Sequence, residues 1–178
     1  MGKSTKSNKE AVIEVLNKAR ASELAAILQY MSQHYELGDN DYGQFAQQLK
    51  LIAIDEMRHA EMLAERILVL SGTPTSKPDM AVKKKQKVLP LMKYDEGLEE
   101  TAVADYNAFL QVCRDNRDYV SAKIFEQLIV EEQIHLEHFQ DIIQHIDDLG
   151  DAYLATQVGG AAEGAAAQGF IASQGGGA

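Results

Sequence analysis

The chain has 178 residues, 46% of them hydrophobic, which suits one domain with a core large enough to fold unaided. A net charge of −10 and a pI near 4.9 argue against a nucleic-acid-binding surface and fit a molecule that attracts cations. The single cysteine, Cys113, excludes an internal disulfide framework and a zinc ribbon, and no apolar run approaches the roughly 18 residues of a membrane span, so a cytoplasmic protein is expected.

Prolines occur only at positions 74, 78 and 90, so every long segment outside that window can be continuous helix. From Glu10 to about Tyr35, AVIEVLNKARASELAAILQYMSQHY places apolar residues at helical intervals and predicts a first helix. LGDND around Gly38 is turn chemistry, and Tyr42 to about Leu70 resumes the pattern as a second helix. Two long helices joined by so short a turn lie antiparallel. The window from Gly72 to Pro90 predicts a crossover that runs the length of a bundle, with KKKQK at 83–87 as a solvated surface stretch. Asp95 to Cys113 and Tyr119 to about Leu149, separated by RDNRD, predict a second antiparallel pair. DAYLATQV, after Gly150, predicts a short fifth helix, and the Gly/Ala-rich remainder predicts a flexible tail. The expected division is therefore an all-α four-helix domain over 1–158 and a tail over 159–178.

Across this frame one arrangement is written twice. Glu23 is followed by a Glu-x-x-His of Glu56 and His59, and Glu99 is followed, at the same interval, by a Glu-x-x-His of Glu132 and His135. One constant offset carries every member of the first copy onto its counterpart in the second, and Tyr30 and Tyr106 keep the same register. In a helix, Glu56 and His59 point from one face, as do Glu132 and His135. A glutamate from each of two bundle helices and Glu-x-x-His from each of the other two is the ligand pattern of ferritin-like di-iron carboxylate proteins. Glu100 and Glu131 adjoin the candidate ligands, but adjacent helical residues point about 100° apart, and the register selects Glu99 and Glu132.

The chemistry follows from the donors. Carboxylates and imidazoles suit iron(II), manganese or zinc, and six ligands shared by two ions leave positions open for dioxygen or peroxide. Burying four carboxylates without a cation would cost several kcal/mol each or force protonation, which disfavours a merely structural set of ion pairs. Tyr30 and Tyr106 either donate hydrogen bonds to the ligand carboxylates or serve as core aromatics with satisfied hydroxyls; both readings stay open.

The run LIAIDEMRHAEMLAERI, residues 51–67, together with NKARASELAAILQY and EEQIHLEHFQ, resembles the bacterioferritins, the haem-containing branch of the ferritins. The likeness covers roughly residues 10–155. It implies a ferritin-like bundle (two helices, a long crossover, two helices and a short fifth helix) and a ferroxidase di-iron centre of Glu23, Glu56, His59, Glu99, Glu132 and His135. That is the set the repeat selects independently. Met57 breaks the repeat, its counterpart being Gln133, and lies about 100° around the helix from Glu56. The resemblance implies that Met57 is an axial haem ligand, one from each of two subunits across a twofold axis. It further implies a 24-subunit iron-storing shell, oxygen or hydrogen peroxide as oxidant, and a small ferredoxin as electron donor. An inner-surface iron site known in the family pairs a histidine with an aspartate four residues later; here Leu51 precedes Asp55, which puts that site in doubt. Met31 and Met62 are expected as apolar packing, and His34 and His138 as polar-core histidines; His145 carries no signal.

Three other readings compete. A rubrerythrin-like di-iron oxidase or peroxidase shares the duplicated ligands but usually carries a CxxC iron–sulfur module, which one cysteine cannot build. The small DNA-protecting ferritin places its iron site between subunits and lacks this complete set. A structural four-helix protein with buried charge pairs would bind no iron.

Overall fold

The computed structural model describes residues 8–160 and 169–174. Four long helices make the molecule: α1 (Asn8–Asp39), α2 (Gly43–Val69), α3 (Val88–Asp115) and α4 (Tyr119–Leu149). Two short ones follow, α5 (Asp151–Thr156) and α6 (Phe170–Gln174). Helix α1 packs along α2 and α3 along α4, with the 70–87 connection crossing between the pairs, so the all-α bundle expected from the pattern is the fold observed. Among the described residues no helix is long and apolar enough to cross a membrane.

The largest boundary difference is at α3, which begins at Val88 rather than near Asp95. Pro90, read as part of the linker, sits in the first turn, where a missing N–H breaks no intrahelical bond. At the start of α4 the Asp118 carboxylate accepts the Ser121 backbone N–H at 3.0 Å and a forked pair from Arg66 at 2.7 and 2.9 Å. This cap ties the C-terminal turn of α2 to the first turn of α4.

The crossover is bonded along α1. Asn17 donates to Thr73 O and accepts from Thr75 N, and Gln29 does the same with both backbone groups of Lys83. These backbone polar groups are thereby satisfied on the surface, and the lysine side chains of 83–87 are exposed, with the Lys83 ammonium 4.5 Å over the Tyr94 ring.

The bundle interior is layered. One apolar cluster gathers Tyr30, Phe45, Leu49, Ile52, Met92 and Phe139, and another gathers Leu16, Leu63, Ile67, Tyr106, Phe125 and Leu128. Between them lies a polar layer that no core would tolerate without strong pairing. Of the tail expected over 159–178, residues 170–174 form α6 with Phe170 buried, so this part of the tail is helical rather than irregular; 161–168 and 175–178 lie outside the described residues. The reason is composition: Phe170 and Ile171 are apolar side chains within a Gly/Ala-rich stretch, and they find a surface to bury against.

Candidate metal centre

Each long helix contributes to the polar layer: Glu23 from α1, Glu56 and His59 from α2, Glu99 from α3, Glu132 and His135 from α4. All six repeat residues meet here, buried, although the first and the last lie on opposite ends of the four-helix sequence. Their donor atoms form two overlapping groups within 4.8 Å: Glu23, Glu56, His59 and Glu132, and Glu56, Glu99, Glu132 and His135. Glu56 and Glu132 belong to both groups and stand between the two positions; Glu23 and Glu99 each serve one.

The copies exchange partners across the centre. His59 Nδ1 lies 2.9 Å from Glu56 and 3.0 Å from Glu132, and His135 Nδ1 lies 3.1 Å from Glu56 and 3.2 Å from Glu132. Tyr30, from one apolar cluster, donates to Glu99, and Tyr106, from the other, donates to Glu23. Both tyrosines are thus core aromatics whose hydroxyls are satisfied by these carboxylates. Glu56 Oε1 and Glu132 Oε1, both buried, have no aligned hydrogen-bond donor, only the His135 and His59 Nδ1 atoms at 3.1 and 3.0 Å. With a cavity of about 20 Å³ lined by the four glutamates and both tyrosines, these buried carboxylate oxygens suit small cations.

Charge is distributed accordingly. Burial, reinforced by neighbouring carboxylates, pushes the Glu23 and Glu99 carboxyls well above the usual range. Burial also opposes ionisation of Glu56 and Glu132, but the two imidazoliums outweigh it and hold both carboxyls low. For His59 and His135 burial lowers the pKa, yet the surrounding carboxylates raise both well above the ordinary imidazole value. Burial and adjacent carboxylates keep the Tyr30 and Tyr106 phenols protonated, hence donors. Without metal the site holds protons where cations would otherwise sit.

Two carboxylates at the site were missed as contributors. Glu131, read from sequence only as a neighbour to be distinguished from Glu132, accepts from His59 Nε2 at 2.7 Å, and Asp55 lies 3.5 Å from His135 Nε2. They too are related by the offset that relates the two copies, so the same register would have found them. Glu131 engages the far nitrogen of His59 in a hydrogen bond, whereas Asp55 faces that of His135 only at ion-pair distance, and in both rings Nδ1 faces the centre.

Met57 lies on the outer face of α1 and α2, 47% exposed, in a shallow groove of about 350 Å³ with Leu24, Ile27, Ala60 and Ala64. Arg20 and Glu61 complete its lining, which among the described residues includes no ring nitrogen and no second sulfur. His34 Nδ1 lies 2.7 Å from the Ala46 carbonyl, and His145 stacks on Tyr153, so neither joins the centre. Met31 packs against the core and Met62 lines a surface cleft. Cys113 is buried, its thiol pushed up to about 12 by burial, and cannot serve an iron–sulfur module. Asp55 is already engaged by Arg58 at 2.9 Å and by the Ile171 N–H at 2.9 Å, which, with Leu51 in place of a histidine, leaves little of an inner-surface iron site.

A four-helix bundle with a buried, twice-written set of four glutamates and two histidines that could hold metal ions has the architecture of the ferritin-like proteins. The family model for the ferritin-like domain matches residues 13–149. The chain is 50% identical over 164 residues to the bacterioferritin of Desulfovibrio desulfuricans, covering 92% of both chains, and 34% identical over 149 residues to that of Streptomyces coelicolor, covering 83% of this chain and 89% of that one. An X-ray structure of the D. desulfuricans bacterioferritin, described with its diiron site in different catalytic states, superposes with a TM-score of 0.87 at 48% identity over 93% of this chain and 99% of that one. Mycobacterium tuberculosis bacterioferritin gives 0.79 at 28% identity, over 83% of this chain and 93% of that one. The chain belongs to the bacterioferritins.

Proposed function

We propose that this protein is an iron-storing ferroxidase: it binds two iron(II) ions as substrate at the centre of its bundle, oxidises them with dioxygen or hydrogen peroxide, and passes iron(III) into a shell of 24 copies. The observation that carries the reading is the pair of overlapping four-donor groups with Glu56 and Glu132 common to both. Each iron(II) gives up one electron; one hydrogen peroxide accepts both, with two protons, and leaves as two waters. Carboxylates set between the ions favour the higher charge of iron(III). Glu23, Glu56, His59, Glu99, Glu132 and His135 hold the ions, Tyr30 and Tyr106 orient Glu99 and Glu23, Glu131 orients His59 by a hydrogen bond, and Asp55 faces His135 by charge. Iron(II) added aerobically to purified protein should be oxidised faster than in buffer and elute as iron oxide with a particle of many subunits. Colourless, iron-free protein running as a monomer or dimer would sink the reading.

Haem is the second part of the proposal. Met57 offers one soft thioether in a largely apolar groove with no second thioether or imidazole, so the residues fit half of a site whose other half comes from an identical partner across a twofold axis. Bound there, haem would carry electrons, supplied by a small ferredoxin, inward for reductive release of stored iron. Met57 would hold the haem iron through its sulfur, and Leu24, Ile27, Ala60 and Ala64 would keep water from it. We expect the haem Soret band to be lost in Met57→Leu protein and shifted or lost in Met57→His, with assembly unchanged by size-exclusion chromatography. An unchanged bis-methionine spectrum in either variant would refute the assignment. Cytoplasmic iron storage is the setting this reading implies.

A further inference from the structure

The centre is duplicated in its six donors, and its two ends differ in their surroundings. At the His59 end, the far nitrogen reaches Glu131, whose side chain is 24% exposed. That carboxylate borders an open cleft of about 240 Å³ between α2 and α4, lined by Asp55, Arg58, His59, Met62 and Gln127 as well. At the His135 end, the far nitrogen faces the repeat-related Asp55, whose side chain is only 4% exposed. The difference comes from α6. Phe170 is buried with its ring centroid 6.0 Å from that of His135, edge to face, and 4.4 Å from that of His138. The next residue, Ile171, donates its N–H to Asp55 at 2.9 Å, and Ile171 and Ala172 form one wall of the cleft that remains open.

We propose that Gly169–Gln174 is a plug over the His135 end of the centre, which makes the two metal positions kinetically unequal. The ion held by Glu23 and His59 exchanges quickly through the cleft beside Glu131, and the ion held by Glu99 and His135 exchanges slowly because Phe170 and the Asp55–Ile171 bond close its route. Helix α6 is short and carries one fully buried anchor, so its docking is a local equilibrium, separable from the stability of the four long helices. The asymmetry gives the plug a role in the chemistry proposed above, on which it rests: one iron position turns over readily while the other is retained.

The test uses cobalt(II) alone, loaded at two ions per chain into the full assembly and then released to excess chelator. Release of cobalt absorption should be biphasic. In Phe170→Ala protein, and independently in a chain ending at residue 168, the slow phase should accelerate by at least about tenfold, equivalent to roughly 1.4 kcal/mol of lost docking, while the fast phase keeps its rate. A single phase in the intact protein would overturn the proposal. So would a slow phase that persists unchanged in both variants, the signature of departures coupled only by charge. Failure to bind two cobalt ions at all would instead strike the metal centre itself, and the plug with it.

Discussion

Glu132→Ala protein should lose rapid iron oxidation by more than about 100-fold, because groups that merely orient a metal ligand already account for about 10–100-fold when removed. Glu132 lies in both donor groups, so its loss degrades both positions at once. Glu99 serves one, and Glu99→Ala should keep one tightly bound ion while slowing the two-electron reaction, which needs the pair. Metal titration separates the outcomes: neither cobalt ion held tightly in Glu132→Ala, one of two in Glu99→Ala, and haem spectra unchanged in both. If Glu100→Ala proves the damaging change instead, the repeat register is wrong, although Glu100 is exposed on α3 and belongs to neither donor group.

Metal binding should also release protons, and affinity should climb steeply with pH. In the metal-free centre His59 and His135 keep their protons above the ordinary imidazole value, and Glu23 and Glu99 keep theirs above the ordinary carboxyl value. All four must give them up to act as ligands. Near neutral pH a pair of divalent ions should therefore displace about two to four protons. Each unit of pH gained would then strengthen binding of the pair by about 10²–10⁴-fold. Calorimetry in buffers of different ionisation enthalpy measures the count directly; proton-neutral, pH-independent binding would contradict the buried-proton description. Because these four folded-state pKa values are raised, their contribution to stability of the metal-free protein is present at low pH and fades as pH rises through them. Glu56 and Glu132, held low by the imidazoliums, contribute in the opposite sense, and their contribution is lost on acidification.

Much of this was legible in the residues. Helical periodicity, three prolines confined to one window and two short polar turns are local signals, and they located four helices with the boundaries of α2 and α4 close to those observed. The early start of α3 was hidden because a proline reads as a break, while its first-turn position removes the reason for one. Helix α6 was hidden for a different reason. Its low-complexity surroundings carry no periodicity, and what holds it is burial of Phe170 against a face assembled from other helices.

The repeat by itself determined which side chains face the centre, since a fixed offset on helices fixes azimuth. It could not determine how they share the space. That Glu56 and Glu132 belong to both donor groups while Glu23 and Glu99 each belong to one, that each imidazole turns its far nitrogen toward Glu131 or Asp55, and that α6 sets Phe170 beside His135 are matters of distance between segments remote in sequence. Periodicity encodes direction around an axis; only the packing of four axes, and of a short fragment laid across two of them, sets which groups meet.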